Sequence, residues 1–133
     1  MLFRSVVGSL IPKGAEGARQ TLRVLQEGKS LGLFLDQKMN DGIPSPFFGV
    51  DAMTSKGFAQ LALRFNCVIL PAWVERLGGA HFRLNVDPPL ALPDTGDRHE
   101  DIRVLTAAAN QRIESWVRQR PGQWLWLHRR WPD

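Results

Sequence analysis

A chain of 133 residues has the length of one domain and room for a single core. With 44% hydrophobic and 23% charged residues it is composed as an ordinary globule, which excludes a disordered or fibrous chain. Seventeen basic against thirteen acidic residues leave a net charge of +4, a bias toward anionic partners that does not choose among nucleic acid, anionic lipid and acidic protein.

Met1-Leu2-Phe3-Arg4 is not followed by the long apolar segment of a signal peptide, and no run reaches the ~18 apolar residues of a spanning helix. Any membrane work by these residues is therefore expected at the surface. Arg4 and Lys13 flank the apolar stretch from Val6 to Ile11 and read first as solvated charges. Residues 15–27 predict a helix with Ala15, Ala18, Leu22 and Leu25 on one face, stopped by Gly28. The continuous apolar run Leu31 to Leu35 fits a strand covered on both faces, as in a parallel sheet. Gly42, Pro44, Pro46 and Gly49 make residues 37–53 a predicted long loop.

Thr54 or Ser55 is placed to cap a second helix in which Phe58, Leu61, Ala62 and Phe65 share a face. Cys67 to Val74 reads as a strand, with Pro71 placing a bulge, an end or an edge inside it. Gly78-Gly79 then turns the chain into His81–Asp87, an antiparallel hairpin strand whose Phe82, Leu84 and Val86 are expected to face a core. A long helix from Arg98 to Gln119 carries Ile102, Leu105, Ala109, Ile113 and Trp116 on one stripe, and Pro121-Gly122 ends it. This order predicts an α/β fold, a mixed sheet flanked by helices. A buried strand needs neighbours on both sides, and few strands are present to supply them, so the 133 residues read as the second half of a domain.

Asp36 stands at the end of the predicted parallel strand, where open α/β sheets place their sites, with Gln37 beside it. The competing reading is a carboxylate that caps its own turn. His81 and His99 lie in polar surroundings and read as solvated. His128 and Asp133 form a formal His-x4-Asp, but Pro132 breaks the helical turn that such a dyad needs, so the match is treated as accidental. Cys67, before an apolar run, reads as an inert buried thiol, and no zinc spacing, phosphate-cradling glycine loop or Gly-x-Ser-x-Gly elbow occurs. No metal or cofactor is expected. The closing segment, Gln123 to Trp131, packs three tryptophans and two arginines into nine positions. Trp and Arg each join a flat face to a polar handle, so Arg118, Arg120, Trp124, Arg129 and Arg130 are the expected contacts with anionic headgroups or a membrane surface. The competing reading is that these tryptophans close a core.

Several pieces together resemble the late acyltransferases of lipid A biosynthesis, the lauroyl/myristoyl transferase family of Gram-negative bacteria. They are Gly28 with Leu31-Gly32-Leu33-Phe34-Leu35-Asp36-Gln37, Gly42 to Phe47-Phe48-Gly49, and Ala52-Met53-Thr54. Val68-Ile69-Leu70-Pro71 with Arg76, Asn110 to Ile113-Glu114, and Pro121 through Trp131 complete the likeness, which covers nearly the whole chain. The resemblance implies the C-terminal half of a glycerolipid-acyltransferase-like domain, with residues 1–133 all belonging to one such domain. It implies transfer of a fatty acyl group from an acyl carrier protein to a hydroxyl of a lipid A precursor, on the cytoplasmic face of the inner membrane. The family's catalytic His-x4-Asp/Glu lies upstream of everything matched, so no catalytic residue is expected within these 133 residues, and the chain alone is expected to be inactive. Asp36, Gln37 and, by position, Arg4 are the implied substrate-binding residues. The alternatives are a non-catalytic interaction domain or a nucleic-acid-binding module. Against the latter, the predicted solvent-facing strand shows His81, Arg83, Asn85 and Asp87 without an aromatic for base stacking, and no nucleic-acid partner is expected.

Overall fold

The structure is a computed structural model that describes residues 9–12, 14–126 and 129–131. The chain falls into two compact units, Met1–Leu33 and Phe34–Asp133. The first is built on helix α1, Ala15–Gln26. Its end is the predicted glycine stop: Gly28 adopts φ 70°, its N–H donates to the Leu25 carbonyl at 3.0 Å, and the Lys29 N–H donates to that of Val24 at 3.0 Å. Gly17 is the buried residue of this helix, and a Cβ there would stand 1.7 Å from the Pro12 carbonyl oxygen. Close approach of backbone to helix therefore requires glycine.

The second unit holds the remaining elements: β1 (Ile43–Phe47), β2 (Val50–Thr54), α2 (Gly57–Phe65), β3 (Ala72–Gly78), β4 (His81–Val86) and α3 (Arg98–Gln119). The α/β class is as expected, and both sheets are two-stranded antiparallel hairpins, β1 with β2 and β3 with β4. Residues 31–35 form no strand. Phe34 is 94% exposed, and of the run only Leu35 docks, reaching both core clusters. The physical reason is locality. Each hairpin closes over a short turn, whereas a parallel strand must recruit a distant edge, and no described strand pairs with this one.

The expected long loop is likewise a hairpin. Phe47 and Val50 pair across the two-residue turn Phe48-Gly49, whose φ values of 55° and 77° give the twist that suits a tight hairpin. The prolines do not prevent this, because β1 is an edge strand and an edge tolerates residues without an N–H. Pro44 and Pro46 face outward while Ser45 and Phe47 alternate with them inward.

Helix α3 spans the residues that its periodicity predicts and is the spine of the unit. Its first half packs Leu105 and Ala109 against Phe58, Ala59 and Ala62 of α2. Its second half packs Ile113 and Val117 against Phe47 and Ala52 of the first hairpin. Asp97 caps its start, accepting the His99 N–H at 2.9 Å. Helix α2 has no side-chain cap, because its N-cap position falls on Lys56 rather than on Thr54 or Ser55, and the Thr54 hydroxyl donates to the Ala52 carbonyl.

The second hairpin docks by the face opposite to the one expected. Trp73 stacks on Trp116 of α3 at 6.1 Å, and buried Glu75 is held by Arg120 at 2.9 Å and Arg83 at 3.5 Å. Val74, Phe82, Leu84 and Val86 are left open, Leu84 at 66% exposure. None of the helices among the described residues is long and apolar enough to cross a membrane.

Candidate functional site

The site is assembled where the first hairpin, α3 and the closing tail meet. The hairpin lays Ser45, Phe47, Ala52 and Thr54, all buried, over the second half of α3. Two polar side chains of the helix fasten it. Asn110 donates through Nδ2 to the Thr54 hydroxyl at 3.0 Å and to the Pro46 carbonyl at 3.3 Å. Glu114 accepts the Phe48 N–H at 2.8 Å and the Arg118 guanidinium at 2.7 Å, and these two bonds, Arg118 first, hold its carboxyl below the usual carboxylate range. Arg118 also lies over the Phe48 ring at 4.7 Å. A phenylalanine at φ 55° is uncommon, and these contacts are what fix it there.

The tail then closes over the hairpin. Trp124 meets Phe47 edge-to-face at 5.6 Å, and Trp131 stacks on the same ring at 5.4 Å while its indole N–H donates to the Phe47 carbonyl at 2.9 Å. Between them Arg130 is 1% exposed. Its guanidinium donates to the Met53 carbonyl at 2.6 Å, the Thr54 hydroxyl at 2.8 Å and Asn110 Oδ1 at 3.2 Å, and lies 5.2 Å from the Phe47 ring. No partner for its Nε–H is present among the described residues. Burial lowers the Arg130 pKa, and the negative charge of Asp36 opposes that shift.

Asp36 and Gln37 follow Leu35 in an irregular segment rather than at a strand terminus, Asp36 half-buried and Gln37 exposed. The expected surface residues divide. Arg130, expected at a headgroup, is buried and faces inward, with three of its N–H groups on internal acceptors. Trp124, partly buried, packs against the cluster around Phe47. Arg118 and Arg120 are exposed, though each is paired with a carboxylate, Glu114 and Glu75. Arg129 is exposed. Of the histidines, His81 and His99 are exposed, while Arg4, His128 and Asp133 lie outside the described residues.

The sequence reading gives Asn110, Glu114 and Thr54 no part in a site, naming Thr54 as a helix cap and all three as pieces of the family likeness. Their signal is present: Asn110 is an amide between Ala109 and Ile113 of the apolar stripe, and buried polar groups of this kind are kept where they have partners to satisfy.

A helix-backed hairpin, sealed by an aromatic tail around one buried cation and edged by an acid–amide pair, defines a small α/β unit with a structured rim. The chain matches the bacterial lipid A biosynthesis acyltransferases over residues 4–133, and it belongs to that family. None of the curated proteins matches it.

Proposed function

We propose that these residues form the substrate-cleft wall of an enzyme that acylates a lipid A precursor from an acyl carrier protein thioester. The observation that carries the reading is the family match over residues 4–133. In the reaction that the family implies, a base takes the proton of the acceptor hydroxyl and the oxygen attacks the thioester carbonyl. A C–O ester bond forms, the C–S bond breaks, and the carrier thiolate leaves to recover a proton. The His-x4-Asp/Glu base is supplied by residues other than these 133, and Asp36 and Gln37 line the cleft.

Membrane contact belongs to the same proposal, on the cytoplasmic face of the inner membrane. Exposed Arg118, Arg120 and Arg129 are its candidates, with Trp126, 53% exposed, beside them. Basic side chains near an anionic surface contribute about 1 kcal/mol each, reduced by salt. The carboxylate partners of Arg118 and Arg120 make the expected attraction weaker than a count of arginines suggests.

The test supplies the purified chain with an acyl carrier protein thioester and a lipid A precursor, alone and with a co-expressed segment bearing the His-x4-Asp/Glu motif. Product is followed by mass spectrometry. Turnover only in the complemented sample, lost on Asp36→Asn, is the expected result. Turnover by the chain alone that disappears in His128→Ala overturns it, as does full activity of Asp36→Asn in the complemented enzyme.

A further inference from the structure

We propose that the open face of the second hairpin is a docking surface for an anionic lipid layer, with Arg76 at a phosphate and the apolar side chains against hydrocarbon. The proposal rests on the membrane contact proposed above, and it moves the main contact from the arginines of the tail to the β3–β4 sheet. The face follows from register. Ala72 pairs with Val86, Val74 with Leu84 and Arg76 with Phe82, and cross-strand partners share one side of a sheet. The segment before β3 keeps the alternation: Cys67 and Ile69 pack on the cluster that holds Leu105 and Ala109, while Val68 and Leu70 are open. Six of these apolar side chains, Val68, Leu70, Val74, Phe82, Leu84 and Val86, are each more than half exposed. Exposed apolar residues are ordinary singly, but six on one face mark an interaction surface.

Charge chooses the partner. The three outward pairs hold one charged residue, Arg76, whose Nε–H donates to the Gly79 carbonyl at 3.0 Å and which no described carboxylate pairs. On the docked side, buried Glu75 lies between Arg120 and Arg83, so three arginines against one carboxylate leave this end of the hairpin at a net +2. A second copy of the chain would bring the same cation and no acid to meet it. An anionic lipid layer offers phosphate to the arginines and hydrocarbon to the apolar face. The tail joins the sheet at the same residue: the Gln123 amide accepts the Arg76 N–H at 2.8 Å and donates to the Arg76 carbonyl at 3.0 Å. A hollow of about 440 Å³, lined by Val74, Arg76, Phe82, Gly122 and Gln123, opens at this junction. Three residues on, exposed Trp126 is held by its indole N–H on the Pro121 carbonyl at 2.8 Å, a ring of the kind that favours a membrane interface.

The test needs no acyl donor or acceptor, so its failure is distinct from failure of the acyl-transfer reading. The full chain is sedimented with phosphatidylcholine vesicles, with and without phosphatidylglycerol, at low and high salt. Binding that requires phosphatidylglycerol and falls with salt is expected, weakened about fivefold by Arg76→Gln. Leu84→Glu is expected to weaken it at least about tenfold. Val74→Thr with Val86→Thr keeps the β-branched shapes and is the second apolar variant, expected to weaken binding at an unchanged urea midpoint. Binding that withstands both apolar variants and is lost in Trp126→Ala returns the contact to the tail; it overturns the proposal and spares the membrane reading. Equal binding to neutral and anionic vesicles overturns it, as does no binding to either. A mass that doubles with concentration and reverts in Leu84→Glu, without vesicle binding, gives the face to a second copy. Vesicle binding intact in Leu84→Glu, with turnover of the complemented sample lost, gives the face to the segment that bears the base. Both of these outcomes also overturn the proposal.

Discussion

The Phe48 N–H and the Glu114 carboxylate meet at 2.8 Å across 66 residues of sequence, joining the tip of the first hairpin to the second half of α3. The same carboxylate binds Arg118 one helical turn on. Because both bonds favour the charged form, the Glu114 pKa lies below its ordinary value of 4.5 in the folded chain.

A pH dependence follows from that shift. A depressed carboxyl stabilises the fold above its unfolded pKa, and the contribution is lost as pH falls from about 4.5 through the folded value. Melting temperatures of wild type and Glu114→Gln, measured from pH 7 to pH 3, are expected to differ most near neutrality and to converge at acid pH. Glu27 and Glu100 shift in the same direction through exposed pairs, so the difference between the two proteins, not the wild-type curve alone, is the quantity to read. Parallel curves across the whole range would remove Glu114 from the account.

Two glycines of the first hairpin are required for different reasons, and alanine separates them. Gly49 sits at φ 77° with nothing within 4 Å of where a Cβ would lie, so Gly49→Ala meets only the left-handed backbone penalty of about 1–2 kcal/mol. Gly42 carries no such angle, but its Cβ would stand 2.1 Å from the Thr54 carbonyl oxygen. Relief there must move the start of β1 away from the end of β2, which resembles overpacking and costs about 1–3 kcal/mol. Denaturant midpoints measure both losses. Amide exchange should then show Gly42→Ala loosening Ile43 and Thr54 while Gly49→Ala leaves that end protected.

Asn110 is expected to be the most sensitive polar residue of the helix. Its amide donates to Thr54 and Pro46 and accepts from Arg130, so Asn110→Leu, similar in volume, removes three hydrogen bonds at once, those to Thr54 and Arg130 buried. Each unsatisfied group costs about 1–3 kcal/mol. The variant should lose at least ~2 kcal/mol in urea unfolding, and the near-ultraviolet circular dichroism of the packed tryptophans should change with it. A loss under ~0.5 kcal/mol would mean that the tail is held by aromatic packing alone.

How far the sequence reveals this unit depends on whether each feature is local. Helix α3 is legible from its period, because Leu105, Ala109 and Ile113 recur on one stripe and Pro121 ends it. The Gly28 stop is legible because a left-handed residue after a helix favours glycine. Residues 31–35 mislead because apolar content tells what a segment prefers to touch, not whether a partner edge is there to meet it. Pro44 and Pro46 mislead in the other direction, since alternation of Ser45 and Phe47 against them is a strand signal that the loop reading discards. At the site, Asp36 is legible as a candidate, whereas the inward turn of Arg130 depends on acceptors 20 to 77 residues distant.

The open face of the second hairpin gives the last prediction. Alternation alone assigns Phe82, Leu84 and Val86 to a core, yet the face that docks on α3 carries Trp73 and Glu75. Substitutions on the two faces should therefore behave oppositely. Leu84→Thr places a β-branched side chain on a site already 66% exposed, so it should change stability in urea by no more than about 0.5 kcal/mol. Glu75→Leu removes the carboxylate that holds Arg120 and Arg83, and Trp73→Ala removes the stack on Trp116, a loss of about 3–5 kcal/mol for a large aromatic. Paired unfolding curves for Leu84→Thr and Trp73→Ala decide the orientation. If Leu84→Thr proves the more damaging, the apolar face is the covered one and the hairpin docks the other way round.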